Sequence, residues 1–248
     1  MAINLPIALQ LYTVRDVLSK DLDAGLAQVR AIGYTHVEMA GHYNRTPAEV
    51  KALLDKHRLT PIAGHDMWLV SATPASAAAN AKALGYQYAI MPWFPEDRRS
   101  VAGYSEVVAT AKQANAEHAG VTFGYHNHDF EFKPVEDGGS GFAVLFEGTD
   151  LTCEMDTCWV AVGGADPVQW MQKLAGRVPL LHIKDCRDFA AKALCEVGTG
   201  KVPVKDIVQA APGVGAKFLV VEQDNNWIDG DPMKSAKISY DNLRKITG

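Results

Sequence analysis

The sequence predicts an α/β protein built as a single closed (β/α)8 TIM barrel over residues 1–248, on three observations. The first is length: 248 residues suit one barrel, although ~150 residues per domain would leave room for a second unit. The second is alternation. Short apolar runs rich in Val, Ile, Leu and Tyr are followed by longer stretches with helical spacing, the order of βαβ units around a parallel sheet. The third concerns the main rival, an open doubly wound sheet, which often carries a Gly-rich first turn. Here the first strand runs out as Gln10-Leu11-Tyr12-Thr13-Val14-Arg15, with no GxGxxG behind it and no P-loop consensus in the chain.

Eight strand–helix units follow in order. Strands are expected at 7–12, 36–39, 60–64, 88–91, 122–126, 151–155, 180–183 and 217–221. After the first, Asp21 opens an amphipathic run through Leu22, Leu26, Val29 and Ile32 that stops at Gly33. After the second, Thr46-Pro47-Ala48-Glu49 places Thr at an N-cap, Pro at the first helical position and Glu at the third, a capping box. Val50, Leu53, Leu54 and His57 then repeat at helical spacing. Asp166-Pro167 opens a later helix that Gly176 closes. The last helix, 232–246, carries Ile238, Leu243 and Ile246 and ends in basic residues, which suit the negative end of its dipole.

Composition narrows the function classes. With 48% hydrophobic and 21% charged residues the chain reads as soluble and globular. A net charge of −5 argues against a nucleic-acid partner bound through a broad basic surface. No run approaches the ~18 apolar residues of a membrane span, and the start lacks a secretory pattern, so a cytoplasmic location is expected. Cys153, Cys158, Cys186 and Cys195 form no CxxC pair and read as reduced structural thiols.

In a barrel of this class the active site lies at the carboxyl ends of the strands. Those ends are unusually polar. Strand two ends in Glu38, strand three in His65-Asp66, and strand five in Tyr125-His126-Asn127-His128-Asp129. Strand six ends in Glu154-Met155-Asp156, strand seven in His182-Ile183-Lys184-Asp185, and strand eight in Glu222-Gln223-Asp224. Because side chains alternate along a strand, His126 and His128 share one face and His182 and Lys184 another, with Asn127 and Asp185 turned away. If Asp156, His182 and Glu222 all face the axis, three ligands meet near one point and His126 supplies a fourth. Mixed imidazole and carboxylate donors suit one divalent ion such as Mn²⁺, Zn²⁺, Co²⁺ or Fe²⁺. The alternative for each single residue is a hydrogen-bonded structural role.

Glu136 and Asp137 read as a solvated loop, while Glu131 follows the histidines closely enough to be a candidate. Trp68, Trp93, Phe94 and Trp159 stand just past strand ends, as packing or as a platform for a sugar ring, and Arg98-Arg99 reads as a solvated surface pair.

These segments together resemble the sugar phosphate isomerase/epimerase family of xylose-isomerase-like barrels. The carriers are Ala8-Leu9-Gln10-Leu11-Tyr12, Ile32-Gly33-Tyr34-Thr35-His36-Val37-Glu38 and Tyr125-His126-Asn127-His128. Glu154-Met155-Asp156-Thr157, Leu181-His182-Ile183-Lys184-Asp185 and Val221-Glu222-Gln223-Asp224 complete the set, so the resemblance runs through nearly the whole chain. In that family a Glu, an Asp, a His and a second Glu usually hold one divalent metal. Asp156, His182 and Glu222 match the last three, and the place of the first Glu is taken by His126 or, alternatively, His128. In the epimerases the two carboxylates are also the acid/base pair, which leaves Glu222 as the retained member. Many relatives carry a His three residues after the Asp, where this chain has Trp159.

The resemblance implies a divalent-metal-dependent isomerase or epimerase acting on a sugar or keto-sugar through an enediolate. On this reading His126, Asp156, His182 and Glu222 are the metal ligands. Glu222, His128 and Lys184 are catalytic, and Glu38, His65, Glu131 and Trp159 bind substrate. A lyase or dehydratase acting on keto-sugars or inososes shares the first step and is the alternative. An endonuclease IV-like hydrolase and a non-catalytic sugar-binding barrel complete the field. Barrels of this kind often self-associate, so a homo-oligomer is among the expectations, with no sequence patch to set its order.

Overall fold

The computed structural model describes residues 3–136 and 138–248; Asp137, expected in a solvated loop, lies outside the described residues with Met1 and Ala2. Eight parallel strands close on one another. They are β1 Ile7–Gln10, β2 His36–Met39, β3 Thr60–His65, β4 Tyr88–Met91, β5 Thr122–His126, β6 Thr152–Asp156, β7 Leu180–Ile183 and β10 Phe218–Val221. Each pairs with its predecessor around the ring, and β10 closes it on β1 with Ala8 opposite Val220. The fold is the predicted α/β barrel, and β2, β4, β5 and β7 begin and end where the apolar pattern placed them. The first strand is shorter than expected. Gln10 accepts a hydrogen bond from the Tyr12 backbone N–H at 3.0 Å and turns the chain into a 3-10 turn, Leu11–Val14.

One element was not anticipated. An antiparallel hairpin, β8 Asp185–Asp188 and β9 Ala193–Cys195, is inserted between β7 and β10. The first of its strands is polar and the second only three residues long, so neither announces itself by alternation. Its return is held by Asp185, whose carboxylate accepts from the backbone N–H groups of Cys186, Gly198, Gly200 and Val202 at 2.8–3.1 Å.

The punctuation of the helices follows the predicted chemistry. Asp21 accepts from Ala24 N–H at 3.0 Å and starts Leu22–Ile32. That helix ends at Gly33, whose φ of 125° only glycine adopts readily and where a Cβ would lie 2.7 Å from the Tyr240 ring. Thr46 and Glu49 form the capping box of Pro47–Lys56 in both directions. The helix after Asp166 spans Pro167–Lys173 and stops short of Gly176. The last helix is Pro232–Thr247.

Two apolar layers result. The larger fills the space between strands and helices and includes Trp68 and Phe94, both buried, so these two are core rather than rim. The smaller includes Ala8, Ile62, Tyr88, Ile90, Leu180 and Val220. Strand parity turns Ala8, Leu180 and Val220 the same way as Gln10, His182 and Glu222 two residues on. The barrel interior is therefore dry in its lower layers and polar at its carboxyl end. Arg98 and Arg99 correct the surface-pair expectation. Both are half-buried; Arg98 bonds the Leu69 carbonyl and Glu106, and Arg99 bonds the Phe94 carbonyl. All four cysteines are free and buried, and no helix among the described residues is long and apolar enough to cross a membrane.

Candidate active site and metal centre

One donor atom each from His126, Asp156, His182 and Glu222 lies within 4.8 Å of the others, and all four residues are buried. They come from β5, β6, β7 and the residue after β10, which are neighbours around the ring. His126 Nε2 is 3.7 Å from Asp156 Oδ2, and His182 Nδ1 is 3.0 Å from Glu222 Oε2. Two ligands of a common ion bonded at ~2.0–2.2 Å stand roughly 2.8–3.8 Å apart at angles of about 90–120°, so these spacings fit one cation. His128 stands outside this group of four.

Behind each imidazole sits a carboxylate. Glu154 Oε2 lies 3.1 Å from His126 Nδ1, and Glu38 Oε2 lies 2.7 Å from His182 Nε2. A carboxylate at one ring nitrogen keeps the proton there and turns the other nitrogen's lone pair toward the centre, the arrangement that orients histidine ligands in metal sites. Asp156 is fixed as well. Its Oδ1 caps the helix Thr157–Val162 by accepting from Trp159 N–H at 2.9 Å, while Oδ2 is turned to His126 and to the Lys184 ammonium. Asn127, facing away from the axis as expected, ties β5 to β6 by accepting from Asp156 N–H at 3.0 Å. The residues therefore fit a divalent ion.

A second group within 4.8 Å comprises His65, His126, Glu154 and His182. Here three ring nitrogens converge on one oxygen: Glu154 Oε2 meets His65 Nε2 at 2.8 Å, His126 Nδ1 at 3.1 Å and His182 Nε2 at 3.2 Å. All three contacts end on that single oxygen, so this group serves as the support for the first. Glu154 stands among the polar strand ends in the sequence but is given no role there. Its signal was its parity with Asp156, two residues on.

Lys184 supplies the positive charge. Its Nζ is 2.7 Å from Glu222, 3.1 Å from Asp156 and 3.0 Å from Asp224. Burial would deprotonate the ammonium, but the Asp156, Asp224 and Glu222 carboxylates hold its pKa well above the ordinary lysine value. Burial would likewise raise Glu222, yet Lys184 and His182 hold it well below the carboxylate range. His182 is opposed by burial but kept well above the ordinary histidine value by Glu154 and Glu38. Burial and the neighbouring His182 push His126 down to about 3. Burial lifts Asp156 to about 6 against the pull of Lys184, and burial with the Glu154 charge lifts Glu38 to about 7.

A cavity of about 410 Å³ opens over this centre, with His65, His126, His128, Lys184, Glu222 and Asp224 on its polar side. His128 is stacked between Phe130 and Trp159, with ring centroids 5.2 and 5.9 Å away. Its Nδ1 has no partner, and burial holds its imidazole neutral. Glu131 is buried and turned to the fold: it accepts from Tyr125 Oη–H at 2.5 Å and from His128 N–H at 2.7 Å. Of the residues expected to bind substrate, His65 lines the cavity, whereas Glu38 lies under His182, Glu131 under the His128 backbone, and Trp159 behind the His128 ring. Glu136 is exposed and accepts from Val101 N–H at 3.1 Å.

Fold and site together define a (β/α)8 TIM barrel with a buried imidazole–carboxylate centre at its carboxyl-end mouth. Among solved structures, a sugar phosphate isomerase/epimerase from Parabacteroides distasonis ATCC 8503 is 28% identical, with a TM-score of 0.82 over 98% of each chain. A second protein so described from the same organism is 23% identical, with a TM-score of 0.81 over 97% of this chain and 93% of that one. A xylose isomerase domain protein from Alicyclobacillus acidocaldarius subsp. acidocaldarius is 15% identical, with a TM-score of 0.72 over 98% of each. No protein-family model and no curated protein matches the chain. The family resemblance read from the sequence thus extends to the whole fold.

Proposed function

We propose that the protein is a divalent-metal-dependent sugar or keto-sugar isomerase or epimerase that moves a proton on the carbon beside a carbonyl. The observation that carries this reading is the group His126, Asp156, His182 and Glu222, buried together, with His126 and Glu222 lining the cavity and each imidazole backed by a carboxylate. An ion held by these four would act as a Lewis acid on a substrate carbonyl and acidify the adjacent C–H. The ordinary candidates are Mn²⁺, Zn²⁺, Co²⁺ and Fe²⁺.

The chain's own groups then divide the work. Glu222 stays ionised beside Lys184 and reaches the cavity, so it is the base that takes the proton. Lys184 keeps its ammonium, shared among Glu222, Asp156 and Asp224, and its charge favours the negative charge that develops on the substrate oxygen. His128, neutral and clamped between two rings, offers a second site for a proton on the same cavity wall. Return of the proton to another carbon gives isomerisation, and return to the opposite face gives epimerisation. The imidazole of His126, standing where relatives carry a Glu, favours one further reading. With one acid/base carboxylate in place of two, loss of a β-substituent, a lyase outcome, becomes the competing fate.

The test is solvent-deuterium exchange at the substrate α-carbon, screened over ketoses, keto-glycosides and inososes with protein of measured metal content. Wild-type protein carries about one divalent ion per chain and exchanges, and Glu222→Gln abolishes exchange. Full exchange in that variant, or in wild-type protein stripped of metal by a chelator, refutes the assignment.

A further inference from the structure

We infer that the cavity holds an uncharged subsite beside the reaction centre that receives the ring-bearing aglycone of a glycoside. This rests on the proposed reading for the sugar itself and adds the substituent that the sugar carries. The apolar part of the lining is Tyr12, Ala40, Pro92 and Trp93, which follow β1, β2 and β4, with His65 of β3 between them. Tyr12 and Trp93 are 44% and 41% exposed, while most large apolar side chains of the chain are buried.

How these two rings are held separates them from stray surface aromatics. The Arg15 guanidinium lies 4.0 Å from the Tyr12 ring centroid and 5.3 Å from that of Trp227. It is pinned there by the carbonyls of Tyr12 at 2.8 Å and Asp224 at 3.1 Å. The Arg99 guanidinium repeats the device, 3.4 Å from the Phe130 centroid and 5.5 Å from that of Trp93, with its Nε on the Phe94 carbonyl at 3.0 Å. Each ring at the mouth is thus backed by a cation fixed to the main chain. A ring held in place before binding loses little freedom when a flat partner stacks on it.

The same contacts hold the cations around the mouth outside the cavity lining. Arg15 and Arg99 are committed to rings and carbonyls, Lys192 holds Asp129 at 2.8 Å, and Lys184 is enclosed by three carboxylates. Lys184 is the one Lys or Arg among the described residues that line the cavity. A phosphate ester would meet Glu222 and Asp224 without a cation to spare, whereas a neutral glycoside meets an apolar wall.

The experiment titrates matched phenyl and methyl β-glycosides of glucose, galactose and xylose into the metal-loaded protein by calorimetry, with glucose 6-phosphate alongside. In at least one pair the phenyl glycoside binds about tenfold more tightly, the size expected of one aromatic contact. Cellobiose, in place of the phenyl glucoside, distinguishes a second sugar ring from an aromatic one. Trp93→Ala and Tyr12→Ala remove the preference while leaving affinity for the metal unchanged. Equal affinity within every pair, tighter binding of glucose 6-phosphate than of any phenyl glycoside, or an unaltered preference in both variants overturns the inference. If the preference holds and α-carbon exchange is absent, the enolising reading fails and the subsite stands.

Discussion

Along β7 and β10 the inside of the barrel changes character within two residues. Leu180 and Val220 belong to the dry lower layer, whereas His182 and Glu222, next on the same face, belong to the charged upper one. Both layers are buried, with Leu180 and His182 at 0% exposure. Burial therefore does opposite things in the two. For leucine and valine it removes apolar surface from water and stabilises. For the carboxylates and imidazoles it costs several kcal/mol per ion, returned only in part by pairing. Glu38, Glu154, Asp156, Glu222 and Asp224 face a lone ammonium, Lys184, so histidine protons or a bound cation must balance the rest. The lower layer holds the barrel together; the upper layer is kept at the expense of stability, as a binding site would be.

The largest test of that division is Leu180→Ala. Truncating this buried side chain lowers unfolding free energy by about 2–5 kcal/mol in denaturant titrations, while each folded molecule binds metal as before. A matching fall in metal affinity would mean that the layers are not separable. Next comes Glu154→Gln, which leaves the amide unable to hold the His126 Nδ1 proton as a carboxylate does. Metal affinity drops about 10–100-fold by isothermal titration, and metal-free stability stays level or rises. A variant that loses stability and keeps its affinity would assign Glu154 to the fold.

The smallest effect is a slope. His182 is held well above the ordinary histidine value, so a proton competes with a cation there across the neutral range, and at Asp156, raised to about 6, only as pH approaches 6. Metal affinity therefore weakens as pH falls from 8 to 6, by roughly tenfold per unit for each proton displaced. Co²⁺ titrations across that range that show no slope would place the ion away from these residues.

Much of this was legible beforehand. Alternation alone turned His126 and His128 to one side and Asn127 to the other, and it set His182 and Lys184 against Asp185. It could not give depth. His126 lies level with Glu154 and Asp156 with His182, a stagger set by pairing between strands. Glu154 was thus visible as an inward carboxylate, but not as the oxygen on which three histidines converge. The β8–β9 hairpin was missed because its holding force is one carboxylate reaching main-chain groups as far as residue 202.

By itself, the sequence determined the order of strands and helices, their caps, and the faces on which the chemistry lies, since periodicity and capping act within a few residues. The tertiary structure decided which donors meet, which carboxylates stand behind the imidazoles, and which aromatic rings remain at the mouth. Those distances run across the barrel and depend on its closure and stagger, which no local stretch of chain encodes.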